Sequence, residues 1–151
     1  MSVRDLIARM REERELEELL FAYPYLIDPG LEKPRRQVVL SKRLRLDLQF
    51  ELAGGKLLIV ELKRGKVGTA EVKQLQDYRR ALGTRKTRGV LVGSFLTEAA
   101  EKQIQLSGGT ITFRQLGRDI PTRIVVCLEC RRARDASIER CAVDGSSRII
   151  N

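Results

Sequence analysis

From Arg45 to Leu52 apolar and polar positions alternate: Leu46, Leu48, Phe50 and Leu52 are interleaved with Arg45, Asp47, Gln49 and Glu51. That period of two predicts a strand with one buried face. The more apolar "KLLIVELK", Lys56 to Lys63, predicts a second strand, and Ala53-Gly54-Gly55 between them supplies the positive φ of a three-residue hairpin loop. A hairpin centred on Gly54 pairs Leu52 with Lys56, and equal steps outward set Asp47 opposite Glu61. Their Cβ atoms are then roughly 5 Å apart. Lys63, two residues beyond Glu61, points to the same face.

Elsewhere the period lengthens. Over 12–20, "EERELEELL" places Leu16, Leu19 and Leu20, with Tyr23, on one helical stripe, which Pro24 and Asp28-Pro29-Gly30 end. "RQVVL", Arg36 to Leu40, predicts a short strand. "TAEVKQLQDYRRAL" predicts a helix with Val72, Leu75, Tyr78 and Leu82 inward, started at Gly68-Thr69. Gly89 to Ser94 has the apolar run of a buried strand; Thr97 is placed to cap a helix over "EAAEKQIQL", Gly108-Gly109 stops it, and Thr110 to Leu116 predicts a last strand. The order αβββαβαβ defines an α/β domain over 1–116, a mixed central sheet flanked by helices. Residues 117–151 form an extension expected to pack on the same domain, with "IVVCLEC" as a strand and "RRARDASIERC" as a basic helix.

Charge sharpens this picture. The formal net charge is +9, and 33–88 hold 16 Lys/Arg against 5 Asp/Glu, whereas 1–32 hold 4 against 8. The hairpin therefore lies in the electropositive part of the chain, which suits a polyphosphate substrate, nucleic acid above all; mere solubility is the bland alternative. The chain has no histidine, which removes Ser-His-Asp and Cys-His catalysis and His-ligated zinc. Aromatic residues are 5% of the chain, too few for a base-stacking platform. No apolar run reaches the length of a membrane span and "MSVRDLIARM" lacks a signal-peptide core, so a cytoplasmic protein is expected.

Two carboxylates directly opposed on a sheet repel each other and require a raised pKa or a cation. Asp47 and Glu61 are accordingly candidate ligands of Mg²⁺ or Mn²⁺, hard ions that take oxygen donors, with the Leu62 carbonyl beside them. Lys63 is the candidate to orient the attacking water and stabilise charge on a phosphate. On the first helix Glu13 and Glu17 border the apolar stripe while Glu18 points away; a solvated acidic face accounts for most of the glutamates there.

The pattern Asp47-x13-Glu61-x-Lys63, between an acidic and an amphipathic helix, resembles the PD-(D/E)XK nuclease superfamily, and Gln74-x-x-x-Tyr78 resembles the QxxxY motif of its RecB-like branch. "YPYLIDPGL" (Tyr23 to Leu31), "RRQ" (Arg35 to Gln37), "LDL" (Leu46 to Leu48), "IVELKRGK" (Ile59 to Lys66), "QLQDY" (Gln74 to Tyr78) and "RGVLVGSFLTEAAEK" (Arg88 to Lys102) resemble, in order and spacing, the catalytic domain of the NucS/EndoMS endonucleases. The resemblance covers 13–116. It implies a restriction-endonuclease-like core and a metal-dependent DNA endonuclease, acting in DNA repair with mismatch, flap or branched-structure selectivity. Holliday-junction resolvases, which share the core, and a non-catalytic DNA-binding module on the same scaffold are the alternatives. The resemblance favours Glu13 as the acidic residue of the first helix, with Glu17 next. It makes Gln74 a brace of the metal site or a DNA contact, and Tyr78 a site residue or plain core. Arg36, Gln37 and Arg64 become candidate phosphate contacts; for Arg36 and Gln37 a solvated strand edge is the competing reading. Family members also carry an N-terminal domain for DNA binding and dimerisation, and some end in a clamp-binding peptide with paired aromatics. This chain begins almost at the catalytic domain and ends in "SSRIIN", so a homodimer or a partner protein is expected and no clamp peptide is seen.

Cys127-x2-Cys130-x10-Cys141 suggests a thiolate metal site, but a structural Zn²⁺ takes four ligands, so Asp144 or a cysteine of another chain would have to complete it. Free buried thiols are the simpler expectation.

Overall fold

The computed structural model describes the backbone of residues 3–120, 124–136 and 139–150, and the side chains of 13–120, 125–132, 136 and 139–150. Helix α1 (Val3–Ala22) leads through a 3-10 turn (Pro24–Leu26) into β1 (Glu32–Val39), β2 (Arg45–Glu51) and β3 (Leu57–Leu62). There follow β4 (Lys66–Val67), α2 (Thr69–Leu82), β5 (Thr87–Gly93), β6 (Phe95–Leu96), α3 (Glu98–Leu106) and β7 (Ile111–Gln115); β8 (Ile124–Val126) and β9 (Ala133–Asp135) lie in the tail. The five long strands form one mixed sheet in the order β1-β2-β3-β5-β7. β1, β2 and β3 are antiparallel, while β3, β5 and β7 are parallel and joined through α2 and α3. Among the described residues no helix is long and apolar enough to cross a membrane.

The local signals account for the elements. Gly54 and Gly55 turn the hairpin at φ of 81° and 76°, and the Leu52 N–H closes it on the Lys56 carbonyl at 2.7 Å. The Glu71 carboxylate accepts the Gly68 N–H at 2.8 Å at the start of α2, and the Thr97 hydroxyl accepts the Ala100 N–H at 3.2 Å at the start of α3. α1 is longer than its apolar stripe suggested, and β1 begins at Glu32 rather than Arg36. The basic helix expected over "RRARDASIERC" is absent from its described part: 133–135 pair as β9 with β8, and 137 and 138 lie outside the described residues. That segment has charge but no apolar stripe, so nothing holds a helix down.

Two core layers sandwich the sheet. Leu16 and Leu20 of α1 pack with Leu48, Phe50, Leu58, Val60 and Leu62. Val72, Leu75 and Tyr78 of α2 and Ala100 of α3 pack with Leu46, Ile59, Leu91 and Val38. Leu46 and Leu48 should share a face by period two, yet they lie in opposite layers. The turnover coincides with Gln37, whose backbone is left-handed at φ 50° and which the β1–β2 register sets across from Asp47. A left-handed non-glycine residue costs about 1 kcal/mol or more, and such strain gathers at functional positions.

Behind the hairpin, Gly93 closes β5 against the segment that follows β3. A Cβ there would lie 2.5 Å from Val67 Cγ2, 3.1 Å from the Gly65 carbonyl oxygen and 3.3 Å from that of Lys63. The backbone oxygens cannot yield without moving Lys63. Gly93→Ala is expected to destabilise the protein by about 1–3 kcal/mol in urea unfolding, whereas an unchanged midpoint would show this packing to be slack.

Candidate active site

The site grows out of an interrupted ladder. β2 and β3 pair from Glu51 with Leu57 to Leu48 with Val60, the register expected from the Gly54 loop. One step further, where Asp47 meets Glu61, the carboxylates take over from carbonyls. The Leu62 N–H donates to Asp47 Oδ2 at 2.9 Å and the Asp47 N–H donates to Glu61 Oε1 at 3.3 Å. Each acid thus satisfies an amide of the other strand, which fixes both side chains between the strand ends.

This proximity has an electrostatic consequence. Glu61 is only 6% exposed. Burial, then the neighbouring Asp47 charge, pushes its carboxyl up to about 8, against smaller downward effects of the Asp47 N–H and Lys63. Asp47 is also raised, first by burial and then by Glu17 and Glu13, while the Leu62 N–H and Lys63 pull it down. The pair therefore retains a proton near neutrality. Such a crowded set of oxygen donors, short of positive charge, fits a divalent cation, which would relieve the repulsion that the proton otherwise relieves.

Both first-helix candidates reach this place. Glu13 Oε1 accepts the Arg64 N–H at 3.2 Å, directly after Lys63. Glu17, 6% exposed, accepts Arg36 Nε at 3.0 Å and Gln37 Nε2 at 2.8 Å. Gln37 Nε2 also lies 3.5 Å from Asp47 Oδ1. Glu13, Arg14, Glu17, Arg36, Gln37, Arg45, Asp47 and Leu62 together line a cleft of about 470 Å³. Arg36 spans Glu17 and the Phe21 ring, 5.5 Å from its centroid, so its guanidinium is engaged within the fold. Arg36 and Gln37 are both exposed, as a solvated strand edge would have them, and both also brace Glu17. Arg14 and Arg45 escaped the sequence reading; Arg45 stands two residues before Asp47, which was a usable signal.

Tyr78 is fully buried, and its hydroxyl donates to the Arg45 carbonyl at 2.7 Å while accepting Gln74 Nε2 at 2.6 Å. Burial and then the Glu61 charge push its hydroxyl up to about 12. Tyr78 is thus a core residue whose polar end ties α2 to the strand that carries Asp47, and Gln74 secures that end. Arg64 is half-buried, its carbonyl accepting the Ser94 hydroxyl. In the tail, Cys127 and Cys141 are buried and Cys130 half-buried, all three with free thiols gathered beside Asp144.

The acidic pair thus sits at the end of an antiparallel hairpin, in a mixed sheet with helices packed on both faces. The family model described as Endonuclease NucS C-terminal domain matches residues 12–135, and the chain belongs to that family. Endonuclease NucS of Thermococcus kodakarensis is 30% identical over 113 residues, covering 73% of this chain and 44% of that protein. Endonuclease NucS of Pyrococcus horikoshii is 33% identical over 113 residues, with the same coverage. Among solved structures, a repair endonuclease from Pyrococcus abyssi matches with a TM-score of 0.60 at 31% identity over 68% of this chain and 46% of that one. An EndoMS–dsDNA complex matches at 0.59 with 28% identity over 68% and 44%. The chain spans less than half the length of these relatives.

The carboxylate pair makes a pH prediction. Glu61 binds its proton more tightly folded than unfolded, so its contribution to stability is full below pH about 4.5 and is lost as pH rises through about 8. In EDTA, wild type is expected to lose thermal stability from pH 6 to pH 9 relative to Glu61→Gln. Parallel melting curves for the two proteins would contradict the placement of the pair.

Proposed function

We propose that this chain is a divalent-metal-dependent DNA endonuclease of the NucS type, acting in DNA repair on mismatched, flapped or branched duplexes. The observation that carries the reading is the opposed Asp47 and Glu61 pair, each carboxylate held on the other strand's amide at the mouth of a cleft lined by Arg14, Arg36 and Arg45. Mg²⁺ or Mn²⁺ would be held by Asp47, Glu61 and the Leu62 carbonyl. When bound, the cation supplies Lewis-acid polarisation of the phosphate and acidifies water. Glu17, buried against Asp47, adds negative charge on the α1 side, and Glu13 does so while holding the Arg64 amide.

The remaining work falls to the chain's own groups. Lys63 is half-buried next to both acids, and its charge lowers the carboxyls of each. There it orients the attacking water and offsets charge that builds on the phosphate as the water oxygen adds to phosphorus and the ester oxygen departs. The water proton passes to solvent or to the departing oxygen. Arg14, Arg45 and the basic segment 33–88 draw in the phosphate backbone, a salt-sensitive contribution without sequence preference. The relative solved with double-stranded DNA supports duplex as the substrate.

The test is a panel of labelled duplex, single-stranded, mismatched, flapped and four-way DNAs with Mg²⁺, Mn²⁺ or EDTA, read for wild type and Asp47→Ala. Cutting that needs metal and falls by at least about a hundredfold in Asp47→Ala, with DNA binding retained, is the expected result. Tight binding by wild type without cutting under either metal would leave a non-catalytic binding module instead.

A further inference from the structure

We infer that the C-terminal extension is a zinc-binding module in which Cys127, Cys130, Cys141 and Asp144 hold one structural Zn²⁺. The sequence shows one obvious half, Cys127-Leu-Glu-Cys130; the other is Cys141-Ala-Val-Asp144, with the same spacing. The structure shows that the two halves are copies of one turn. In the first, the Arg131 N–H donates to the Cys127 carbonyl at 3.0 Å and the Cys127 N–H to the Arg132 carbonyl at 2.9 Å. In the second, the Gly145 N–H donates to the Cys141 carbonyl at 2.8 Å and the Cys141 N–H to the Ser146 carbonyl at 2.9 Å. Both place a left-handed residue fourth after the first cysteine: Arg131 at φ 64° and Gly145 at φ 73°. Arginine in that conformation is uncommon and needs a reason.

The two turns face each other. Cys130 Sγ lies 3.5 Å from Cys141 Sγ, and Cys127 Sγ lies 3.4 Å from Asp144 Oδ2. One ligand atom from each residue lies within 4.8 Å of all the others. A tetrahedral Zn²⁺ with thiolates at about 2.3 Å and a carboxylate oxygen at about 2.0 Å sets S···S near 3.8 Å and S···O near 3.5 Å. The arrangement thus needs little movement to close on the ion. Three thiolates and a carboxylate match zinc and not the oxygen-seeking Mg²⁺ of the cleft.

The module also needs a staple. β8 pairs with β9 on one side, and the chain end returns along it, the Ile150 N–H donating to the Val126 carbonyl at 2.9 Å and the Leu128 N–H to that of Arg148 at 3.0 Å. Beyond Ile120, the buried apolar side chains among the described residues are Cys127 and Cys141 themselves. Apart from packing on the main domain, where Arg132 lies over the Tyr25 ring, so small an apolar core leaves the three strands in need of a further staple, which a metal would supply.

The test is metal analysis of the purified full chain after dialysis against Mg²⁺, beside Cys130→Ser, Asp144→Cys and Asp47→Ala. About one zinc per chain is expected in wild type, Asp144→Cys and Asp47→Ala, and a loss of more than tenfold in zinc affinity in Cys130→Ser. Cobalt substitution of wild type should give the visible bands of a tetrahedral site with sulfur-to-metal charge transfer, which a carboxylate cleft cannot produce. Reduced wild-type protein that takes up no zinc and shows no thiolate–cobalt charge transfer would overturn the inference, as would zinc uptake that Cys130→Ser leaves unchanged and Asp47→Ala removes. None of these readings depends on cleavage, so the fate of the proposed nuclease activity leaves this one standing or falling alone.

Discussion

The structure around the cleft depends on two carboxylates that cannot comfortably be ionised together. Asp47 and Glu61 are forced into proximity by a hairpin whose register is set at the far end, by the Gly54 loop, and each is tied to the backbone of the opposite strand. Burial denies them water, and the nearby Lys63 offsets only part of their charge. The raised Glu61 carboxyl holds a proton that relieves this repulsion, and a bound cation would relieve it in the same way.

The surrounding elements serve that constraint. Tyr78 ties α2 to the Arg45 carbonyl just before Asp47. Glu17 is buried on the other side and is itself held by Arg36 and Gln37. Gln37 accepts a left-handed backbone where β1 and β2 change faces, next to Asp47. Part of the local backbone cost is thus borne beside Asp47, where the strand faces reverse.

Much of this was legible in the chain. Alternation and a glycine loop suffice for a hairpin register, and register alone brings Asp47 to Glu61. The choice between Glu13 and Glu17 was not legible, because both border the Leu16 and Leu20 stripe; Arg36 and Gln37, brought in by β1, distinguish the buried residue from its half-exposed neighbour. The reversal of faces between Leu46 and Leu48 was also hidden, since period two predicts the opposite. In the tail, charge without an apolar stripe was misread as a helix, and the likeness of Cys141-x2-Asp144 to Cys127-x2-Cys130 emerges only when their backbone hydrogen bonds are compared.

The central claim, that a divalent cation replaces the proton shared by Asp47 and Glu61, is tested most directly by calorimetry of Mn²⁺ binding at pH 6.5 in two buffers of different ionisation enthalpy. Wild type should release close to one proton per ion bound, and Glu61→Gln should bind far more weakly with little release. Binding of equal strength in both proteins with no proton released would contradict the account.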